Sequence, residues 1–211
     1  MRLIILVSLV AMIPLGALAR DHGEKRDTSS ITAIVVHTIG GPACIGNTVQ
    51  FKPIAKRADD AQFWQEILRT ARNEAHYVIG RNGTAVEVMP STDIAYHTVG
   101  INDISIGIEL VDRGDGIEPF EEPQIVELIE LIREIRRQFP TILISNSVAH
   151  SDIDQRTCSC GGKIYNRRQD PGANFPMQRV IDAVRLPSDG DYGSSSLPRL
   201  TGPAPARACA D

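Results

Sequence analysis

Between Glu122-Pro123 and Pro140, the apolar residues Ile125, Leu128, Ile129, Ile132, Ile135 and Phe139 recur at helical spacing, so this stretch is a long helix with one apolar face. Proline suits the first turn, and Pro140 stops the helix because it cannot continue the hydrogen-bond ladder. A helix with a single apolar stripe has to cover something. The short, β-branched run Ile31 to His37, bounded by Ser29-Ser30 and by Gly40-Gly41-Pro42, reads as a buried strand that can receive it.

The other segments extend this frame. Asp59-Asp60 can cap a helix reaching about Glu74, with Phe63, Ile67 and Ala71 on one face. His76 to Ile79 and Ala85 to Val88 flank Asn82-Gly83, a strong hairpin signal. Asn82-Gly83-Thr84 also fits a glycosylation sequon, but the turn explains it better. Ser105 to Val111 alternates as a strand ending near Glu109, and Ile142 to Ile144 with Val148 to His150 supply one or two more. A last helix runs from Phe175 or Pro176 to Leu186. Strands mixed with helices, one hairpin among them, predict an α/β fold: a single domain over residues 31–186 with a mixed central β-sheet flanked by helices. No internal repeat is present.

The two ends read differently. Arg2, the apolar run Leu3 to Leu15 and Ala17-Leu18-Ala19 make residues 1–19 a secretory signal peptide rather than a membrane anchor. Its removal takes away one base and no acid, so the net charge of -4 becomes -5. A mildly acidic chain offers no footprint for a nucleic acid. The roughly 190 remaining residues suffice for one domain with a proper core. Residues 20–30 are charged and polar, a linker or frayed start. Residues 187–211 turn to Ser, Gly, Pro and Ala, so a low-complexity, disordered tail is expected. No later stretch is long and apolar enough to span a bilayer. The protein is therefore expected to be exported, periplasmic or extracellular, and nothing in the composition sets an oligomeric state. In such a compartment Cys44, Cys158, Cys160 and Cys209 suggest disulfides with three possible pairings. Cys158 and Cys160 are too close to bridge each other without strain, which leaves one of them to tie to Cys44 and brace the loops near His37 and Asp170.

Chemistry enters at the ends of the strands. His37 and His150 each close an apolar strand, where a sheet presents side chains to a cleft, and Asp170 follows in Arg168-Gln169-Asp170-Pro171-Gly172. Two imidazoles and a carboxylate from distant chain points can hold a zinc ion with its fourth position open to water. That arrangement acidifies the water and polarises a carbonyl. Of the remaining histidines, His22 sits in the polar start, and His76 opens the hairpin as readily for structure as for function.

Further short pieces fall in order along the chain: Val35-Val36-His37, His76-Tyr77-Val78-Ile79 with Arg81-Asn82-Gly83, Ala95-Tyr96-His97, Asn102 to Leu110, Ala149-His150-Ser151-Asp152-Ile153, and Arg168 to Gly172. Each is weak singly, but the ordered set resembles the zinc-dependent N-acetylmuramoyl-L-alanine amidases, a family that includes phage lysozyme-like amidases and peptidoglycan recognition proteins. The resemblance spans about Ile31 to Leu186. It implies that His37, His150 and Asp170 are the zinc ligands, that His97 lines a substrate groove, and that Glu109 is the general base and then acid. A carboxylate in so apolar a strand should have a reason, and burial would raise its pKa toward the range useful for proton transfer.

This chain departs from the family pattern in two places. Many relatives carry Lys two residues before the aspartate ligand, where it steadies the oxyanion; here Arg168 stands there, with a rigid planar fork instead of a point charge. Arg168 is the candidate oxyanion donor and Lys163 the alternative cation. The tyrosine that phage-type relatives place before the hairpin histidine is Ala75 here. The implied activity is hydrolysis of the amide between N-acetylmuramic acid and L-alanine in peptidoglycan or muropeptides. The competing readings are a non-catalytic peptidoglycan-binding module, which would lack part of the ligand set, and a cell-wall amidase toxin.

Overall fold

The computed structural model describes residues 24–51, 60–71, 74–189 and 194–209. The expected signal peptide, His22 and Asp59 lie outside the described residues. Among the described residues the strands are β1 (Ala33–Thr38), β2 (Pro42–Ile45), β3 (Thr48–Phe51), β4 (Tyr77–Ile79), β5 (Ala85–Glu87), β6 (Ser105–Leu110), β7 (Ser147–Ala149), β8 (Thr157–Cys160) and β9 (Lys163–Asn166). The helices are α1 (Ala61–Ala71), α2 (Glu122–Gln138), α3 (His150–Ile153) and α4 (Met177–Val184).

Five strands form the central sheet in the order β5-β4-β6-β1-β7. β4, β6, β1 and β7 run parallel, and β5 pairs antiparallel with β4 across the Asn82-Gly83 turn. The sheet is mixed and covered by helices, as the strand and helix pattern implies. β1 lies inside the sheet between β6 and β7 and is buried along its whole length, which explains the apolar run Ala33 to Val36.

Side-chain alternation divides the core in two. Ile34 and Val36 of β1, with Ile106, Ile108 and Leu110 of β6, pack against Ile125, Leu128, Ile132 and Ile135 of α2 and Val180, Ile181 and Val184 of α4. On the opposite face Ala33 and Val35 meet Ile101, Val148, Ile153 and Leu197. Val78 there packs with Ala61 and Leu68 of α1. The apolar stripe of α2 is thus the cover for one face, and truncating Leu128 would cost about 2–5 kcal/mol.

Three expectations need correction. From Glu24 the polar start is not frayed: Ile94 N donates to Glu24 O, and the Arg26 guanidinium donates to the carbonyls of Ser91, Asn102 and Ser105. Arginine suits this use because its planar fork aims several N–H donors in fixed directions. Two hairpins outside the main sheet, β2–β3 and β8–β9, were not expected: each strand has four residues, too short for the alternation in β3 and β8 to mark a strand by itself. They are joined by Cys44–Cys160, the link expected from Cys44 to one of the two close cysteines.

The third correction is the tail. Over residues 194–209 it is not disordered but lies along the domain. Leu200 N donates to Ile153 O, Gln155 N to Leu200 O, Thr157 N to Gly202 O and Ala204 N to Thr157 O. Leu197 is buried, and Cys209 is bonded to Cys158. Its composition offers little to a core, and backbone pairing with one disulfide holds it instead. No helix among the described residues is long and apolar enough to cross a membrane.

Candidate metal centre and cleft

Parallel register brings the chemistry together. Val36 pairs with Ala149 and His37 with Glu109, so the carboxyl ends of three neighbouring strands present Glu109, His37 and then His150 in a row. His37 shares its face of β1 with Ala33 and Val35, and Glu109 shares its face of β6 with Ser105 and Gly107. His150 opens α3, where Asp152 accepts a hydrogen bond from Ala149 N at 3.0 Å. Asp170 arrives from the loop after β9, tied back by Ser151 N donating to Asp170 O at 3.1 Å.

The three residues singled out as metal ligands converge. His150 Nδ1 lies 2.9 Å from Asp170 Oδ2, His37 Nδ1 lies 3.0 Å from His150 Nδ1, and His37 Nδ1 lies 3.3 Å from Asp170 Oδ2. All three side chains are buried. Bonds of about 2.0 Å around a tetrahedral ion place ligand atoms roughly 3.3 Å apart, so this triangle fits a small divalent cation with slight expansion. Two nitrogens and one carboxylate oxygen are also the donor chemistry that zinc accepts.

The charges suit that use. Burial, then the neighbouring His150, lowers His37 to about 4. Burial alone would raise Asp170, but the His150 ring, within hydrogen-bond distance of it, and the His37 ring beside it hold it far below the usual carboxylate range. At neutral pH, therefore, His37 is neutral beside an ionised carboxylate, the forms in which these groups bind a metal.

A cleft of about 340 Å³ opens over this triangle, lined also by Trp64, Glu74, Tyr96, Glu109 and Arg168. Glu109 is partly exposed to it, yet its Oε2 is buried and accepts no hydrogen bond from the described residues. Burial, then the charge of Asp170, raises its pKa well above the ordinary value, against the opposing pull of Arg168. Arg168 lines the same cleft, whereas Lys163 sits exposed on β9 with its register partner Cys160. His97 also lines the cleft but is only 8% exposed. Both its ring nitrogens are engaged, Nδ1 with His37 Nε2 at 3.0 Å and Nε2 with Ser105 Oγ at 3.2 Å. His76 is buried beneath: its Nδ1 accepts from Gly107 N at 3.0 Å, and its Nε2 lies 3.0 Å from Asp93 O.

Sequence reading missed Glu74, Thr98, Ser105 and Gly107 as members of this neighbourhood. For Ser105 and Gly107 the signal was present, since a period of two places them on the face of Glu109. For Glu74 and Thr98, which lie off the regular strands, no local pattern marks them.

Residues 27–173 match the family model described as N-acetylmuramoyl-L-alanine amidase. Among solved structures the fold is similar to the amidase LysC from Clostridium intestinale, at 18% identity over 77% of this chain and 91% of that one, TM-score 0.50. A selenomethionine derivative of AmpD gives 22% identity over 78% and 91%, TM-score 0.52. AmpDh3 from Pseudomonas aeruginosa, in complex with an anhydromuramic pentapeptide, gives 22% over 82% and 66%, TM-score 0.52. No curated protein matches the chain.

Proposed function

The chain belongs to the N-acetylmuramoyl-L-alanine amidase family, and we propose that it cleaves the bond between the lactyl group of N-acetylmuramic acid and L-alanine with one zinc ion held by His37, His150 and Asp170. The observation that carries this reading is the convergence of His37 Nδ1, His150 Nδ1 and Asp170 Oδ2 on one point, with Glu109 next to it in register. Zinc, when bound, supplies Lewis acidity toward the carbonyl and acidifies the attacking water.

The chain's own residues do the rest. Glu109 accepts the proton of the attacking water, and the same carboxyl then hands it to the amine nitrogen as the amide bond breaks. Burial, then the charge of Asp170, raises the pKa of Glu109 above the ordinary carboxylate range, which suits a group that takes up and returns a proton. Arg168, on the cleft wall, donates to the developing oxyanion. The complete ligand set favours catalysis over a purely binding role.

Two intramolecular disulfides are compatible with an oxidising compartment and with export by the apolar leader, so envelope remodelling or recycling is the assigned role. The test is mass spectrometry of purified sacculi digested with the protein. Free stem peptides with an amino-terminal alanine, and glycan carrying an intact lactyl group, are expected. Cuts within the glycan or between stem residues would refute the assignment.

A further inference from the structure

Beneath the metal-ligand triangle, a run of hydrogen bonds leads away from His37 into the sheet, and its direction can be deduced from its far end. The Ile101 carbonyl can only accept, so Ser105, whose Oγ lies 2.5 Å from it, spends its single proton there. The Ser105 oxygen then presents lone pairs to His97 Nε2 at 3.2 Å, which requires the proton on that nitrogen. His97 Nδ1 is left as an acceptor and faces His37 Nε2 at 3.0 Å, which must be the donor. Thr98 Oγ1 fits the same direction, able to donate to His97 Nδ1 at 3.0 Å and to accept from His37 Nε2 at 3.3 Å. With its proton committed to Nε2, His37 has a lone pair on Nδ1, the atom that faces His150 and Asp170.

The packing holds this line in place. His97, Thr98 and Ser105 are buried at 8%, 1% and 0% exposure, so solvent does not compete for their hydrogen bonds. Gly107, between Ser105 and Glu109 on the same face of β6, is the seat of the His97 ring. A Cβ there would come within 2.5 Å of His97 Cγ and push the imidazole off its partners.

We propose that Ile101, Ser105 and His97 form a tautomer-setting line that fixes His37 as the Nε2–H form, making His97 and Ser105 positioning residues for the metal centre. In this role His97, which also lines the cleft, acts through His37. The inference rests on the zinc reading for its purpose, but the tautomer itself belongs to the metal-free chain. Outer-shell partners of this kind typically govern metal affinity by about 10–100-fold.

The test uses the full chain freed of metal, with three substitutions. His97→Phe retains bulk but removes the acceptor. His97→Gln retains an amide oxygen that can accept from His37 and an amide that can donate to Ser105. Ser105→Ala frees the far end of the line. Long-range nitrogen–proton NMR of the metal-free wild type should show His37 protonated at Nε2 alone, and a mixture of tautomers in Ser105→Ala. Competition against a chelator should show zinc affinity lowered about 10–100-fold in His97→Phe, less in Ser105→Ala, and restored to within a few-fold of wild type in His97→Gln. If His97→Phe does not fold, Ser105→Ala and the NMR signature carry the decision. A His37 protonated at Nδ1, or unchanged zinc affinity in the folded variants, overturns the inference. A wild type that takes up no zinc overturns the function reading instead, and the NMR result still decides this one.

Discussion

His37 and Glu109 are register partners across the parallel ladder of β1 and β6, so a candidate metal ligand and a candidate proton carrier stand side by side on one face of the sheet. That relationship separates their tasks. Replacing Glu109 by Gln retains the shape of the side chain and leaves the ligand triangle untouched. Activity should fall by about 10²–10⁴-fold while bound zinc, measured by atomic absorption, stays at the wild-type level. Loss of zinc in Glu109→Gln would mean that Glu109 supports the metal, not the proton transfer.

The pH behaviour follows from the same carboxyl. As a base Glu109 must be ionised, so kcat/KM should rise with pH through its pKa, with the acid limb above the ordinary carboxylate range of about 4.3. Stability has the opposite sign. A folded-state pKa raised above the unfolded value contributes stability that is fully present below the unfolded pKa and is lost as pH rises through the folded one. Urea melts of metal-free protein across pH should therefore show wild type losing stability with rising pH more steeply than Glu109→Gln. Parallel pH profiles for the two would contradict the assignment.

Arg168 supplies a different kind of help. Its Nε is buried with no hydrogen-bond partner among the described residues, and the side chain lines the cleft. Arg168→Ala should lower kcat by about 10²–10³-fold with a much smaller change in KM. Arg168→Lys restores the positive charge without the planar fork and should recover part of the loss. A change confined to KM would make Arg168 a substrate-binding residue only.

The two disulfides have separable effects. Cys158–Cys209 closes a loop with a sequence separation of 51 and pins the tail against the backbone that follows α3, the helix that starts with His150. Ending the chain at Pro187, or replacing Cys158 and Cys209 by Ser, should lower unfolding free energy by roughly 2–5 kcal/mol in urea. Zinc affinity should weaken with it, because Ile153 and Gln155 lose their backbone partners in the tail. Equal urea midpoints for full-length and shortened chains would show that the tail adds nothing.

Much of this molecule is legible in its sequence, for physical reasons that can be named. β1, α2 and the β4–β5 hairpin follow from β-branched content, helical spacing and an Asn-Gly turn, because burial on a defined face forces those patterns. The candidate ligands His37, His150 and Asp170 stand out because they lie at strand ends or next to proline and glycine, and because ordered motifs surround them. Hairpins β2–β3 and β8–β9 are not legible, since an alternation only four residues long, as in β3 and β8, does not separate a strand from a loop. The tail misleads because Ser, Gly and Pro predict a missing core, yet it uses the edge of its own domain and Cys209. His97 was placed near the cleft but not under His37, because only the register of β6 against β1 fixes where Ser105 and Gly107 seat its ring.

The most direct measurement is a zinc titration of chelator-stripped protein, following bound metal and release of stem peptide from sacculi together. One zinc per chain should restore full activity, with the break in both curves at the same point, and His150→Ala should neither bind nor recover. Full activity in the stripped protein, or equal recovery by His150→Ala, would contradict the account.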